Sequence, residues 1–327
     1  MTAPPAPSSA TTPTPSPAPA PAPTVAVSAA APLAEPPAGS AAARFGPVAL
    51  VISAGISVQF GAALAVMIMP RVGAAGVVTL RLTAAAIVLL LLCRPKVRGY
   101  SRSDWGTVLA FGLALAGMNG LFYQAIDRIP LGPAVTLEVL GPLALSVVVS
   151  RRLVNVLWAG LALGGVVLLS GHGGGGLGFG SLDALGAAYA LGAGAMWAAY
   201  IVFSARTGRR FPQADGLALA MAVAAVLSLP LGVAQAGSAL LVPGTLALGV
   251  GVAVLSSVLP YTLELLALRR MPAPTFAILM SLEPAIAATA GFLVLHQAMS
   301  ALDALAIALV IAASMGAVRS QMRKKAA

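Results

Sequence analysis

The sequence predicts an all-α polytopic membrane protein with ten transmembrane helices, arranged as two inverted five-helix repeats. Three observations carry this. Apolar runs of roughly 20 residues, the length that crosses a hydrocarbon core as a helix, recur along the chain. Of its 327 residues, 59% are hydrophobic and only 9% charged, with a mean hydropathy of +0.96. A soluble domain has about 25% charged residues, so this chain could not cover a water-facing surface. Finally, one short pattern occurs twice, 142 residues apart, on opposite sides of the expected membrane. A closed β-barrel would instead show short alternating segments, which are absent.

Taken in order, residues 1–43 are mostly Ala, Pro, Ser and Thr and hold 12 of the 25 prolines. No core can form from them, so they read as a disordered cytoplasmic tail. A basic n-region before an apolar h-region is missing, which argues against a signal peptide. From Pro47 onward ten spans are expected, at about 47–69, 74–93, 105–126, 131–149, 153–171, 184–204, 215–235, 244–268, 273–295 and 302–318. They group into a first repeat at 46–171 and a second at 184–318, followed by a basic cytoplasmic tail at 319–327.

The net charge of +10 does not indicate nucleic acid, because the basic residues lie in short clusters between apolar spans. With the N-terminus inside, sixteen Lys and Arg fall in inner loops and tails, and only Arg71 and Arg128 in outer ones. That bias sets both termini in the cytoplasm and requires an even number of spans.

The repeated pattern is Ala-Ile-Asp-Arg-Ile-Pro at 125–130 and Ala-Leu-Arg-Arg-Met-Pro at 267–272, each followed twelve residues later by a second proline, Pro142 and Pro284. The copies join spans 3 and 4 and spans 8 and 9. Five spans per half invert the second copy, as the outer Arg128 and inner Arg270 also indicate. Inverted repeats are typical of alternating-access carriers, with the substrate site near the midplane.

Within the apolar spans sit Arg81, Glu138, Glu264 and Glu283. A charge at the bilayer centre costs about 2.5–3.5 kcal/mol on insertion scales, so such groups mark pathways or pairs. Ser257, Pro260, Tyr261 and Glu264 are spaced to share one helix face. Pro260 also removes one helical hydrogen bond, leaving a carbonyl near that stripe free to accept. Glu264 lies toward the span end, where a snorkelling or Arg-paired interfacial acid is the alternative. For Glu138 and Glu283 the alternative is a structural ion pair with Arg81, whose guanidinium would equally fork onto a substrate carboxylate. Asn119 and Tyr123 share a face of span 3. Tyr189, Met196 and Tyr200 form a stripe in span 6, with Trp197 beside it, and Gln59 lies in span 1. Helix packing competes with cavity lining for all of these. Gly160 and Gly164 form a GxxxG pair suited to close helix approach.

Soluble-enzyme signals fail. Gly173, Gly175 and Gly178 match a dinucleotide fingerprint by letter, but no strand precedes them. The loop histidines His172 and His296 have no ligand cluster. Cys93, the single cysteine, excludes an internal disulfide. No metal or other cofactor is expected.

Leu80-Arg81-Leu82, Gly117-Met118-Asn119-Gly120-Leu121-Phe122-Tyr123, Ile129-Pro130-Leu131-Gly132 and Leu137-Glu138 with Gly141-Pro142 recur in one known group. So do Ser150-Arg151-Arg152, Gly192-Ala193-Gly194-Ala195 with Trp197, Leu259-Pro260-Tyr261 with Glu264, Met280-Ser281 with Glu283-Pro284, and Ala312-Ala313-Ser314-Met315-Gly316. On these stretches, residues 46–318 resemble the drug/metabolite transporter superfamily of the EamA type, most of all its exporters of threonine and homoserine. The resemblance implies ten helices with both termini inside, two EamA repeats, and export of small amino acids across the bacterial inner membrane. The chain departs from the group after span 9, where relatives often have Gly-Glu and this chain has Leu295-His296-Gln297.

The expected function is secondary export of small zwitterionic amino acids by alternating access. Arg81 would hold the carboxylate, and Glu138 would meet the ammonium or take up a proton. Asn119, Tyr123, Trp197, Tyr261, Glu264 and Glu283 would line or serve the pathway. Proton antiport and uniport both fit. The expected partners are therefore the amino acid, protons and the lipid bilayer, with no nucleic acid. Efflux of drugs or other metabolites on the same fold is the alternative, disfavoured by an aromatic content of 5%. A membrane enzyme or non-transporting scaffold is the alternative of another class, and no catalytic constellation supports it. Deleting residues 2–43 is expected to leave membrane insertion and transport unchanged; transport lost at normal insertion would give the tail a role.

Overall fold

The computed structural model describes residues 41–150, 157–158, 160–162, 164–165, 183–211, 215–268, 270–271 and 273–326. The tail up to residue 40, most of the span expected at 153–171 and the glycine-rich loop with His172 lie outside the described residues, as does the side chain of Tyr261. Among the described residues every regular element is helical.

The first helix, α1 (Ala41–Cys93), has 53 residues. As a straight rod it would reach about 80 Å, more than twice a hydrocarbon core. Gly73 prevents this. Its φ of 69° and ψ of 171° lie in a region open essentially only to glycine, and they break the rod between the two spans expected there. The side chain of Gln235 fills the space a Cβ on Gly73 would need. Its Oε1 accepts the amide of Ala75 at 2.8 Å, capping the start of the second span from another helix.

Helix α2 (Arg102–Ile126) opens with a capping box, in which Ser101 and Asp104 satisfy each other's backbone amides. Helices α3 (Leu131–Glu138) and α4 (Leu140–Ser150) are one apolar rod interrupted at Val139. The cause is Pro142, which has no N–H for the carbonyl of Glu138, four residues back. Then follow α5 (Ala184–Gly208), α6 (Asp215–Ala236, continued by a 3₁₀ turn to Leu241) and α7 (Pro243–Ala253). A π-turn, Val254–Val258, leads into α8 (Leu259–Leu268). Helices α9 (Ala273–Met280) and α10 (Glu283–Leu295) are separated by Ser281–Leu282. That interruption begins 142 residues after Val139, at the same distance from Pro284 as Val139 is from Pro142.

The last helix, α11 (Ala301–Ala326), runs through the segment expected to be a basic tail. Nothing after Gly316 breaks it, since Ala, Lys, Arg, Met and Gln favour the helix and cations suit its C-terminal end. The GxxxG reading shifts by one residue. Among the described residues no neighbouring atom lies within 4 Å of a Cβ built on Gly160 or Gly164, and the close approach is at Gly165, against the carbonyl of Ala306.

Among the described residues, four segments are long and apolar enough to cross a membrane by length and composition: Gly46–Cys93, Arg102–Ile126, Ala184–Gly208 and Asp215–Leu241. Shorter apolar helices at Leu131–Leu145, Pro243–Val258, Glu283–Leu295 and Ala301–Gly316 pack among them. Leu91, Leu157, Leu231 and many other large apolar side chains face outward. A surface of this kind suits hydrocarbon rather than water.

Helices α2 and α5 run antiparallel and are tied at both ends. Arg128 pairs with Asp183 at 3.3 Å at one end. Arg210 pairs with Asp104 at 3.6 Å at the other, beside the stacked rings of Tyr100 and Phe211. Exposed pairs contribute about 0–1 kcal/mol each, so they fix position more than stability. The second part of α1 lies equally close to α6, where Thr79 donates to the carbonyl of Ser228 at 2.8 Å and Gly232 leaves room for that hydroxyl. Replacing Gly73 with Val should cost about 1–3 kcal/mol through backbone strain, besides displacing Gln235. A thermal midpoint in detergent equal to that of the parent would show that the break needs no glycine.

Candidate functional site

Arg81 is the centre of the polar interior. It sits on the inner part of α1, half-buried, and its guanidinium is used in three directions. Nη1 donates to the phenol oxygen of Tyr123 at 3.2 Å. Nη2 donates to the backbone carbonyl of Ser256 at 3.0 Å. Nε lies 3.5 Å from the hydroxyl of Ser257. The guanidinium carbon is also 5.6 Å from the centre of the Tyr123 ring, within cation–π range. One side chain thus joins α1, α2 and the π-turn.

Local backbone chemistry makes the Ser256 carbonyl available. In an α-helix it would accept the amide four residues on, but residue 260 is proline. One residue earlier the π-turn acts in the same direction. The amide of Leu259 reaches the carbonyl of Val254 rather than that of Leu255. The Leu255 carbonyl then accepts the hydroxyl of Ser57 at 2.6 Å. Consecutive carbonyls freed from α7–α8 are therefore both taken by side chains of α1.

The three acids gather around the same region. Glu138 ends α3, and its charge is close enough to Arg81 to interact with it. Glu283, buried, interacts with both Glu138 and Glu264. It is the first residue of α10, directly after the interruption at Ser281–Leu282, and a helix N-terminus suits a carboxylate. Behind Glu138 the backbones of two helices touch. A Cβ on Gly194 would collide with the carbonyl of Glu138, and a Cβ on Gly141 with the carbonyl of Gly194. The carbonyl that Pro142 releases thus faces a glycine surface.

The other candidates divide. Tyr123 is fully buried and joins Arg81 directly. Asn119 is buried on the same helix, but its amide nitrogen turns back to the carbonyl of Leu115 at 2.9 Å. That is a helix-packing use, although its face is shared with Tyr123. Trp197 is half-buried against the apolar core with Tyr189 and Tyr200. Glu264 lies within electrostatic range of Glu283. Sequence reasoning missed Ser57 and the close crossing at Gly194, and it placed a free carbonyl near the Ser257 stripe without assigning it to Ser256. For Ser256 a signal existed, since counting four back from Pro260 finds it.

Comparison with known proteins bears on this polar interior. A model of the EamA-like transporter family matches residues 184–319. The threonine/homoserine exporter RhtA of Salmonella typhimurium (strain SL1344) is 42% identical over 278 residues, covering 85% of this chain and 93% of the relative. RhtA of Escherichia coli (strain K12) is 41% identical over 270 residues, covering 83% and 90%. The chain belongs to the EamA-like transporter family. Its relatives are exporters, not enzymes, and this EamA-type protein is a membrane transporter. A protein of known crystal structure superposes on it with a TM-score of 0.58 at 20% identity, covering 86% of this chain and 98% of the other, which shows the shared fold.

In the EamA-type interior the contact behind Glu138 gives a direct test. Gly194→Ala forces a Cβ against backbone and should destabilise the protein by about 1–3 kcal/mol while shifting Glu138. Gly120→Ala, with no atom of the described residues within 4 Å of the added carbon, should be neutral or mildly stabilising. Equal melting temperatures and equal export for the two variants would remove the close crossing from the account.

Proposed function

We propose that the protein exports small zwitterionic amino acids of the threonine and homoserine type across the bacterial inner membrane by alternating access. The observation that carries this reading is the position of Arg81: a cation inside the apolar bundle, held by neutral acceptors and within electrostatic range of Glu138. A guanidinium in this setting is ready to exchange a carbonyl or phenol for the stronger acceptor that a carboxylate provides. The relatives named as threonine/homoserine exporters, similar over most of their length, support the choice of cargo.

In this reading Arg81 holds the substrate carboxylate. Glu138 meets the ammonium or takes up a proton, and Glu283 and Glu264 extend the acidic path. Tyr123, Asn119, Tyr261 and Trp197 shape the cavity. Ten spans form two inverted halves, with both termini in the cytoplasm. The matching interruptions at Val139 and Ser281, each ahead of an intramembrane proline, support the two-half arrangement. Charge bias across the loops supports the orientation.

Counterflow in proteoliposomes with labelled amino acids at two pH values tests cargo and coupling together. Threonine or homoserine is expected to exchange, and a panel in which neither does so would refute the assignment. Arg81→Ala should raise the KM for amino acids by at least about ten-fold, the value of a hydrogen bond to a charged group. An unchanged KM would refute carboxylate binding. Glu138→Gln should abolish export or make it independent of pH, with normal amounts of protein in the membrane. Parental export and parental pH response in that variant would exclude Glu138 from the mechanism.

A further inference from the structure

We infer that the backbone carbonyl of Ser256, with the hydroxyl of Ser257 beside it, is the subsite for the ammonium group of the substrate, and that Pro260 creates it. The inference rests on the amino-acid reading above and narrows it, since it leaves Glu138 to the proton.

The two carbonyls released from the helical ladder differ in what covers them. That of Leu255 is closed by a short bond from Ser57, a buried neutral hydroxyl on a neighbouring helix. That of Ser256 is covered by a charged group on a long side chain, at 3.0 Å. A carboxylate is a stronger acceptor for a guanidinium than a neutral carbonyl, so arrival of the substrate carboxylate draws Arg81 off Ser256. The carbonyl is then buried and unpaired, which an apolar interior does not tolerate without a new donor. An α-amino acid brings that donor with it, because its ammonium is one carbon from its carboxylate. The guanidinium and the carbonyl lie side by side, which is the spacing such a molecule requires.

Two further features point the same way. The Ser257 hydroxyl, 3.5 Å from Nε of Arg81, flanks the carbonyl and can accept a second ammonium proton. Ser256 is 2% exposed and its hydroxyl oxygen has no hydrogen-bond partner among the described residues, so polar capacity is left over at this turn. Binding exchanges the Arg81 bond for an ammonium bond at one carbonyl. A carboxylate without an ammonium breaks the first and cannot supply the second, so the turn selects zwitterions.

The test is Pro260→Ala, which restores an N–H able to claim the Ser256 carbonyl. In proteoliposome counterflow its KM for threonine should rise about ten- to a hundred-fold, the range for a lost hydrogen bond to a charged group. Inhibition by 3-hydroxybutanoate, which keeps the carboxylate and hydroxyl but lacks the ammonium, should stay the same or strengthen, because the restored N–H satisfies the carbonyl which that compound leaves unpaired. Equal weakening of both compounds would show that the proline only shapes the helix. An unchanged threonine KM would show that the carbonyl is not the acceptor. Either result overturns the inference and leaves amino-acid export standing, whereas wild-type protein that does not exchange threonine sinks both. Should Pro260→Ala fail to reach the membrane, Ser257→Ala gives the second reading. Its threonine KM should rise about two- to ten-fold, as for a neutral hydrogen bond, with 3-hydroxybutanoate unaffected, and no rise would overturn the subsite.

Discussion

Backbone groups inside hydrocarbon have no water to turn to, so each amide or carbonyl released from a helix must find a partner in the protein. Much of the polar interior follows from that constraint. Pro260 and the π-turn release the carbonyls of Ser256 and Leu255, and Arg81 and Ser57 take them. Pro142 releases the carbonyl of Glu138, and the bare surface of Gly194 lies against it. Arg81, in turn, can remain in an apolar bundle because these acceptors and Tyr123 surround it. The irregular backbone and the buried charge thus stabilise each other, and neither would be tolerated alone.

Some of this was legible in the sequence because the rules involved are local. The fold class followed from span length and composition. A free carbonyl near the Ser257 stripe followed from Pro260, and Arg81 stood out as a cation in an apolar run. What could not be read depends on how helices cross. The spacing of Ser57 gives no hint that it reaches Leu255, and a π-turn has no sequence signature that the alternation of Val, Leu and Ser at 254–258 reveals. Arg81 was expected to meet an acid or a substrate. Its bonds include those to the Tyr123 phenol, the Ser256 carbonyl and the Ser257 hydroxyl, with Glu138 in electrostatic range. Asn119 is buried on the helix that carries Tyr123, and its amide folds back on that same helix. The 142-residue offset aligns Glu283 with Gly141 rather than with Glu138, so the acids are not copies of each other although the interruptions beside them coincide.

Tight seams surround the site. α2 with α5, and the second part of α1 with α6, are joined by small residues and by hydrogen bonds or ion pairs near their ends. Each of these joints links a segment of the first half of the chain to one of the second. Arg81 lies on one of these pairs and Tyr123 on the other, while the π-turn that supplies Ser256 packs on α1, where Gly61 lies against Ser256 and Ser57 bonds to Leu255. A transporter that changes shape around its cargo needs a place where contacts are exchangeable, and the three-way junction at Arg81 has that character.

The turn after α10 holds His296 in a left-handed conformation at φ 54°, and Gln297 reaches across to accept the first amide of α3 at 3.0 Å. This clasp ties the end of α10 to the start of α3. An acid at that position would bring a full charge, and its grip would loosen in brine or in an acidic medium. The carboxamide has none to screen or neutralise, so this joint keeps the same strength in fresh or salty, sour or alkaline surroundings.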